Sequence, residues 1–153
     1  MASPHNKNSS SQAEIKKAWY HGFHKFEHGI YSSIKSFYIA KVVNYDRKKH
    51  RADVLPLANW SDGTKSAQYL DIPVVESCYM FDEMIDALQL SKLGKLPTKH
   101  LMRAGVPVVC AVLDRDNDNW NGSTDTYTPN SGRMHDANDS VVIGVLGGSW
   151  LSG

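Results

Sequence analysis

The sequence predicts a mainly β protein in which five strands form one sheet and a long amphipathic helix precedes them. The segment 106–113 is a short apolar run rich in β-branched residues, which is typical of a strand buried on both faces. Four further runs of strand-like composition lie on either side of it and are separated by turns rich in Gly, Pro, Asn and Asp. We therefore expect 106–113 to be the central strand.

Length and charge limit the possible functions. The chain has 153 residues, which suits one domain with an extension. Seventeen basic and sixteen acidic side chains leave a formal net charge of +1, so charge indicates neither a nucleic acid nor an anionic membrane as partner. We find no signal peptide and no apolar run long enough to span a membrane, and we expect a soluble protein without stable membrane insertion.

The two cysteines, Cys78 and Cys110, are too few for a disulfide framework. Cys110 falls inside the apolar run, where a buried free thiol is expected. Folding in a reducing cytosol agrees with this.

The first thirty-five residues divide into a tail and a helix. Residues 1–10 are too polar to offset the entropy of ordering, which predicts a flexible tail. A capping box at 11–14 starts a helix over 11–35. Apolar residues recur on one face of it, and this apolar stripe consists of Ile15, Trp19, Phe23, Phe26, Ile30 and Ile34. The stripe packs either on the sheet of the same chain or on a second subunit.

Three histidines share another face of this helix: His21, His24 and His28. They could in principle hold a metal ion. Because they project away from the apolar stripe, with no fourth ligand evident, we interpret them as part of a solvated polar face.

Five strands and one short helix follow. The predicted strands cover 36–46, 51–57, 68–75, 106–113 and 139–146, and a helix over 81–93 closes at Gly94. This order of elements, β-β-β-α-β-β, is that of an OB fold, a five-stranded Greek-key barrel. The OB domain is expected over 36–146, with a C-terminal tail at 147–153.

The acidic turn after the fourth strand could be a calcium loop. Its carboxylates have the right spacing at Asp114, Asp116, Asp118 and Asp125. However, Asn119 stands where the sharp turn requires Gly, and the loop follows a strand rather than a helix. Turn formation and salt bridges are the preferred interpretation, and we expect neither a metal nor a cofactor.

Catalysis and nucleic-acid binding are weaker alternatives. His135 and Asp136 could act as a general base pair, but no nucleophile motif accompanies them, so we expect no enzyme. A single-stranded nucleic acid could bind aromatic side chains near a basic run at 47–51, and the candidates are Tyr38, Tyr45, Trp60 and Tyr69. That basic run is also typical of a solvated hairpin tip.

Taken together, several segments resemble one family. Residues 39–46 with 52–57 resemble the opening hairpin of the N-terminal OB domain of the membrane-puncturing central spike proteins of bacteriophage tails. Residues 70–75 are similar to that domain's third strand. Residues 113–120, Leu-Asp-Arg-Asp-Asn-Asp-Asn-Trp, resemble the end of its fourth strand, and 133–140 resemble the approach to its last strand.

The resemblance implies a structural role for a set of motif residues: Asp114, Arg115, Asp116, Trp120, Arg133, His135 and Asp136. The family usually has a Gly- and Phe-rich loop where this sequence has the helical segment 81–101. Spike proteins also continue into a β-helical needle, whereas this sequence ends at Gly153. The resemblance therefore implies a component that closes the tail tube, and it does not extend to membrane puncture.

The implied function is that of a structural virion protein of a phage tail baseplate or tail tip. The chain is expected to assemble in the host cytoplasm as a homotrimer on the tail axis. It would act as a central spike or hub-capping component. Its expected partners are hub or tube proteins, with a separate needle or tip protein as a further candidate.

Overall fold

The computed structural model describes residues 12–59, 62–88 and 99–147. The chain divides between Ile34 and Lys35 into a helical unit and a β unit. The helical unit contains α1 (Gln12–Ser33), which confirms the predicted N-terminal helix. Ser11, the predicted cap, lies outside the described residues. Among the described helices, none has the length and hydropathy needed to cross a bilayer.

The β unit is built on five strands: β1 (Phe37–Asp46), β2 (Arg51–Pro56), β3 (Tyr69–Pro73), β4 (Pro107–Val112) and β5 (Ser140–Val145). They form one sheet in the order β3-β2-β1-β4-β5, and every pair of neighbours is antiparallel. The prediction of five strands is therefore confirmed.

The identity of the central strand was predicted wrongly. We expected 106–113 at the centre, but β1 is the middle strand and β4 lies between β1 and β5. The ten residues of β1 are long enough to pair with both neighbours, for example Ala40 with Pro56 of β2 and with Val108 of β4. β4 is nevertheless apolar because Val108 and Cys110 point into the core.

Local irregularities curl the sheet into a half-barrel. Register shifts occur after Val42 of β1, between Ala52 and Val54 of β2, and after Val109 of β4. Such bulges bend a strand and increase its twist. The curl brings the two sheet edges together just after β3, where the backbone N–H of Val75 donates to the carbonyl oxygen of Val142 at 3.0 Å.

The core fills the concave side of the half-barrel with small and β-branched side chains. Its fully buried members include Ala40, Val42, Val54, Ile72, Val108, Cys110 and Val142. Cys78 and Cys110 are both buried and free. Burial raises the pKa of the Cys110 thiol to about 11, so this group stays protonated and apolar.

A short helix, α2 (Met80–Ala87), follows a 3₁₀ turn between β3 and β4. It confirms the predicted helix but ends at Ala87 rather than at residue 93. The predicted terminator Gly94 lies outside the described residues. The buried Asp82 carboxylate accepts the backbone N–H of Leu101 at 2.7 Å and that of Met102 at 2.9 Å. This pair of bonds ties α2 to the segment that leads into β4.

Candidate assembly surface and buried carboxylate network

The apolar stripe on α1 is exposed along its whole length. Trp19, Phe23 and Phe26 are 76%, 67% and 66% exposed, and Ile15 and Ile30 are each 45% exposed. Ile34, the last predicted member, lies just beyond the end of α1 and is also exposed. Soluble proteins rarely leave a contiguous apolar surface of this size open to water without a use for it. The stripe is therefore a candidate interaction surface.

The histidine face of α1 makes only local contacts. The ring of His24 packs edge to face against Tyr20, with the centroids 4.3 Å apart. Its Nδ1 atom lies 3.2 Å from Oε2 of Glu27. Among the described residues, His21, His24 and His28 do not converge on a common ligand position.

The acidic turn after β4 contains a fully buried carboxylate, Asp116. The Ser131 hydroxyl donates to its Oδ2 atom at 2.5 Å, and the backbone N–H of Asp118 donates to Oδ1 at 2.9 Å. The Ser131 hydrogen bond is the main reason why the pKa of Asp116 is lowered, and the nearby Arg133 acts in the same direction. Asp116 thus ties the acidic turn to the long loop before β5.

Arg133 joins the carboxylates of this region into one network. Its Nε and Nη2 atoms donate to the two oxygens of buried Asp139 at 3.1 and 2.9 Å, a bidentate pair. Nη2 also lies 3.0 Å from Oδ2 of Asp118 and 3.3 Å from Oδ1 of Asp116. Asp139, which makes the largest contribution, and Asp118 raise the pKa of the Arg133 guanidinium. We call these four side chains the carboxylate network.

The carboxylate network differs from the calcium loop that the sequence suggested. Asp116, Asp118 and Asp139 could place three oxygens within 4.8 Å of one another, but Arg133 already supplies a cation to all three. The other two acids of the suggested loop lie elsewhere. Asp114 contacts Arg115 and His135, and Asp125 lies beside Ser123. The geometry is that of an internal salt-bridge network.

His135 and Asp136 are neighbours in sequence but do not act as a pair. His135 adopts a positive φ of 51°, and its Nε2 atom lies 3.3 Å from Oδ1 of Asp114. Asp136 instead accepts the backbone N–H of Asn138 at 2.9 Å, a bond that lowers the pKa of Asp136. Both residues shape the turn into β5, and neither is arranged as a general base with the other.

Trp120 closes the acidic turn. Its backbone N–H donates to the carbonyl of Asn117 at 3.0 Å, and its indole Nε1 donates to the carbonyl of Ser123 at 3.0 Å. The half-buried ring lines a shallow cavity of about 280 Å³ together with Leu113 and Tyr127. Trp120 therefore covers the end of β4.

The basic hairpin tip is largely engaged with acidic partners. Arg47 donates to the carboxylate of Asp86 on α2, and Arg51 donates to Asp71 at 3.1 Å. The ring of His50 stacks on Tyr79 with a centroid distance of 3.8 Å. These contacts join the hairpin to α2 and β3, and they reduce the positive charge available to a polyanion.

The described tyrosines that the sequence suggests for base stacking are partly buried. Tyr38 and Tyr69 pack edge to face, 5.6 Å apart, beside a cavity of about 290 Å³. Burial raises the pKa of Tyr38 strongly and that of Tyr45 to about 12. Both hydroxyls are thus shielded from water. Trp60 lies outside the described residues.

Several structural residues were missed by the sequence reasoning. Asp139 belongs to the carboxylate network, Ser131 donates to Asp116 of that network, and Asp82 holds the segment before β4. His100 lies 3.0 Å from Asp86, the carboxylate that also binds Arg47. One feature of the sequence could have indicated this network. Asp139 stands directly before the β5 run, and a carboxylate at a buried strand end needs a hydrogen-bond partner.

Comparison with known protein families gave no match, and a search of curated proteins found no significantly similar sequence. The geometry of the chain and its segment resemblances are therefore the basis on which we infer a function.

Proposed function

We propose that this chain is a non-enzymatic structural protein of a bacteriophage tail baseplate or tail tip. In this proposal it is a central spike or hub-capping component that closes the tail tube in the assembled virion. It forms a homo-oligomer, expected to be a trimer, and contacts the hub or tube proteins of the tail. The observation that carries the proposal is the exposed apolar stripe on α1, because such a surface needs a partner.

The topology of the β unit supports an OB-fold interpretation. An OB fold is a five-stranded, partly open Greek-key barrel. The sheet order β3-β2-β1-β4-β5 leaves β3 and β5 at the edges, and a parallel bridge between Val74 and Val142 joins them. A helix between β3 and β4 is also part of this pattern. On this basis we interpret the half-barrel as an OB domain.

The contacts of the polar residues favour a structural role over an enzymatic one. In the described part of the chain, the buried acids Asp116 and Asp139 are held by Arg133, and Asp82 is held by backbone N–H groups. A catalytic acid or base must instead reach a substrate from a cleft. These carboxylates consolidate loops against the half-barrel.

Nucleic-acid binding, the alternative considered from the sequence, receives less support. Arg47 and Arg51 are both ion-paired within the chain. A gel shift with single-stranded DNA that weakens with salt would favour this alternative over the assembly role.

The central experiment replaces Phe23 and Phe26 with Ser and measures mass by light scattering after size-exclusion chromatography. We expect the wild-type chain to be oligomeric and the variant to dissociate, because two large apolar side chains lose their buried environment. The β unit should keep its circular dichroism spectrum. An unchanged mass would contradict the proposal.

A matched control replaces Tyr20 and Tyr31 with Ser. Both tyrosines are exposed on α1 but lie outside the apolar stripe, so the control should keep the wild-type mass. Antibody labelling of purified virions then checks the location, which the proposal places at the tail tip.

A further inference from the structure

A second stripe, made of small residues, runs beside the apolar stripe on α1. Its members are Ala18, Gly22, Gly29 and Ser33. At about 100° of rotation per residue, its centre lies roughly 80° around the helix from the centre of the apolar stripe. We call this second surface the small-residue groove.

The described part of the chain gives no packing reason for the two glycines of the groove. A Cβ atom added at Gly22 or at Gly29 would meet nothing within 4 Å apart from its chain neighbours and the nearby backbone of α1 itself. Glycine inside a helix costs about 0.5–1 kcal/mol relative to alanine. The usual reason for a glycine on a helix face is the close approach of a second backbone, and a second copy of α1 would supply one.

Both stripes repeat with the same interval of eleven residues. The pairs that show it are Ile15 and Phe26, Trp19 and Ile30, Phe23 and Ile34, Ala18 and Gly29, and Gly22 and Ser33. A repeat of eleven corresponds to about 3.67 residues per turn, which keeps each stripe nearly parallel to the helix axis. Because the periods agree, the large side chains of one helix can fit the groove of another along its whole length.

A depression already marks the border between the two stripes. It has a volume of about 510 Å³ and is lined by Ala18, Trp19, Gly22, Phe23 and Phe26. Its lining combines two small residues of the groove with three aromatic residues of the apolar stripe. This shape suits a large apolar side chain presented by a parallel helix.

We propose that α1 assembles with further copies of itself as a closed ring of parallel helices. In this ring the apolar stripe of each copy packs into the small-residue groove of the next. The inference rests on the homo-oligomer proposed above. An interface between two different surfaces of the same chain forms rings when its rotation closes. Two contact surfaces about 60° apart around each helix give a ring of three copies, and surfaces about 90° apart give a ring of four. The separation of roughly 80° between stripe and groove suits a ring of three or four.

Charge complementarity supports the parallel arrangement. Lys16 and Glu27 flank the outer edge of the apolar stripe, whereas Glu14 and Lys25 flank the outer edge of the groove. In the ring, Lys16 faces Glu14 of the next copy. Glu27 likewise faces Lys25 of the next copy, with the same axial offset of two residues. Both pairs therefore combine opposite charges at the same helix height.

The available apolar area is adequate for such contacts. A fully covered aromatic side chain buries roughly 150–250 Å², so the exposed parts of Trp19, Phe23 and Phe26 amount to on the order of 400 Å² per copy. The three isoleucines of the stripe add to this value. In a closed ring every copy covers both its stripe and its groove. The area that one copy buries over its two contacts therefore approaches the roughly 800 Å² that each partner buries in a standard interface.

The first test exchanges charges at the predicted Glu27–Lys25 contact. In the full chain, Lys25→Glu or Glu27→Lys alone should raise the midpoint concentration of dissociation on the order of fivefold by light scattering, because each places like charges together. The double variant should return to the wild-type value. Residues two apart on one helix do not face each other, so recovery must come from contacts between copies. Absence of recovery would overturn the ring.

The second test fills the groove. Replacing Gly22 and Gly29 with Leu should abolish assembly at concentrations where the wild type is fully associated. Lys17→Leu, which places the same side chain on the opposite face, should not. In one possible outcome, the variant with Phe23→Ser and Phe26→Ser dissociates but the variant with Gly22→Leu and Gly29→Leu keeps the wild-type mass. That outcome overturns the ring and leaves the proposed function standing. A monomeric wild type would overturn both.

Discussion

At the scale of single residues, the carboxylate network shows how buried charge is satisfied in this chain. Asp116 and Asp139 are fully buried, and removal of a carboxylate from water is costly unless strong donors replace the lost hydration. Ser131, two backbone N–H groups and the guanidinium of Arg133 provide these donors. The network fixes the acidic turn against the loop before β5.

The lowered pKa of Asp116 predicts acid sensitivity. A carboxylate whose pKa is lower in the folded than in the unfolded state stabilises the protein at pH above its unfolded value of 3.8. This contribution disappears as the pH falls through the folded-state pKa. We expect Asp116→Asn to lower the free energy of unfolding at pH 7 and to weaken its decrease in acid.

Urea unfolding between about pH 2.5 and 7 measures this effect. Asp125→Asn is the control, because its exposed carboxylate lies outside the carboxylate network, and it should follow the wild type. Equal pH dependence in the Asp116→Asn variant and the wild type would contradict the assignment.

Part of the carboxylate network is predictable from the sequence. The composition of 114–120 predicted a turn that forms salt bridges, and Asp116 and Arg133 were both singled out. The pairing itself could not be predicted, because Asp116 and Ser131 lie fifteen residues apart on a loop without periodic structure. Asp139 was read only as the start of a strand.

At the scale of elements, β-bulges and one buried side chain position the parts of the half-barrel. Asp53, at the register shift between β2 and β3, accepts the backbone N–H of Asp71, which has a positive φ of 56°. Asp82 plays a similar part for α2. In both places a carboxylate satisfies backbone groups that the sheet leaves unpaired.

Replacing Asp82 with Ala tests the link between α2 and β4. The change leaves the N–H groups of Leu101 and Met102 without their acceptor, and each buried orphan costs about 1–3 kcal/mol. We expect the free energy of unfolding to fall accordingly in urea titrations. Glu83→Ala, an exposed change on the same helix, should have a much smaller effect.

The positions of the strands along the chain were more predictable than the order of the strands in the sheet. Alternation and β-branched content located all five strands to within a few residues, since these patterns are local. The central position of β1 was missed because the order of strands is set by pairing between segments far apart in sequence, which local patterns do not encode. The end of α2 at Ala87 was also missed, as the apolar pattern continued beyond it.

At the scale of the whole molecule, the chain divides into a helical unit and a β unit. The described buried core lies entirely after Lys35, and α1 has no buried residue. The proposed assembly surface and the proposed OB domain are therefore carried by different segments. This division explains how one can be altered without unfolding the other.

Removal of residues 1–34 should accordingly yield a folded monomer. We expect cooperative unfolding with a free energy within about 1 kcal/mol of the full chain, because no core residue is lost. Light scattering should give the mass of one copy. An oligomeric truncated chain would place the assembly surface in the β unit instead.

The two buried thiols of the half-barrel can also report local opening of the structure. Cys78 lies in the 3₁₀ turn and Cys110 in β4, and both are sheltered from solvent. An alkylating reagent can reach either sulfur only after the surrounding structure opens. The two alkylation rates, measured by mass spectrometry on the unmodified chain, would therefore compare loosening at the turn with separation of the strands.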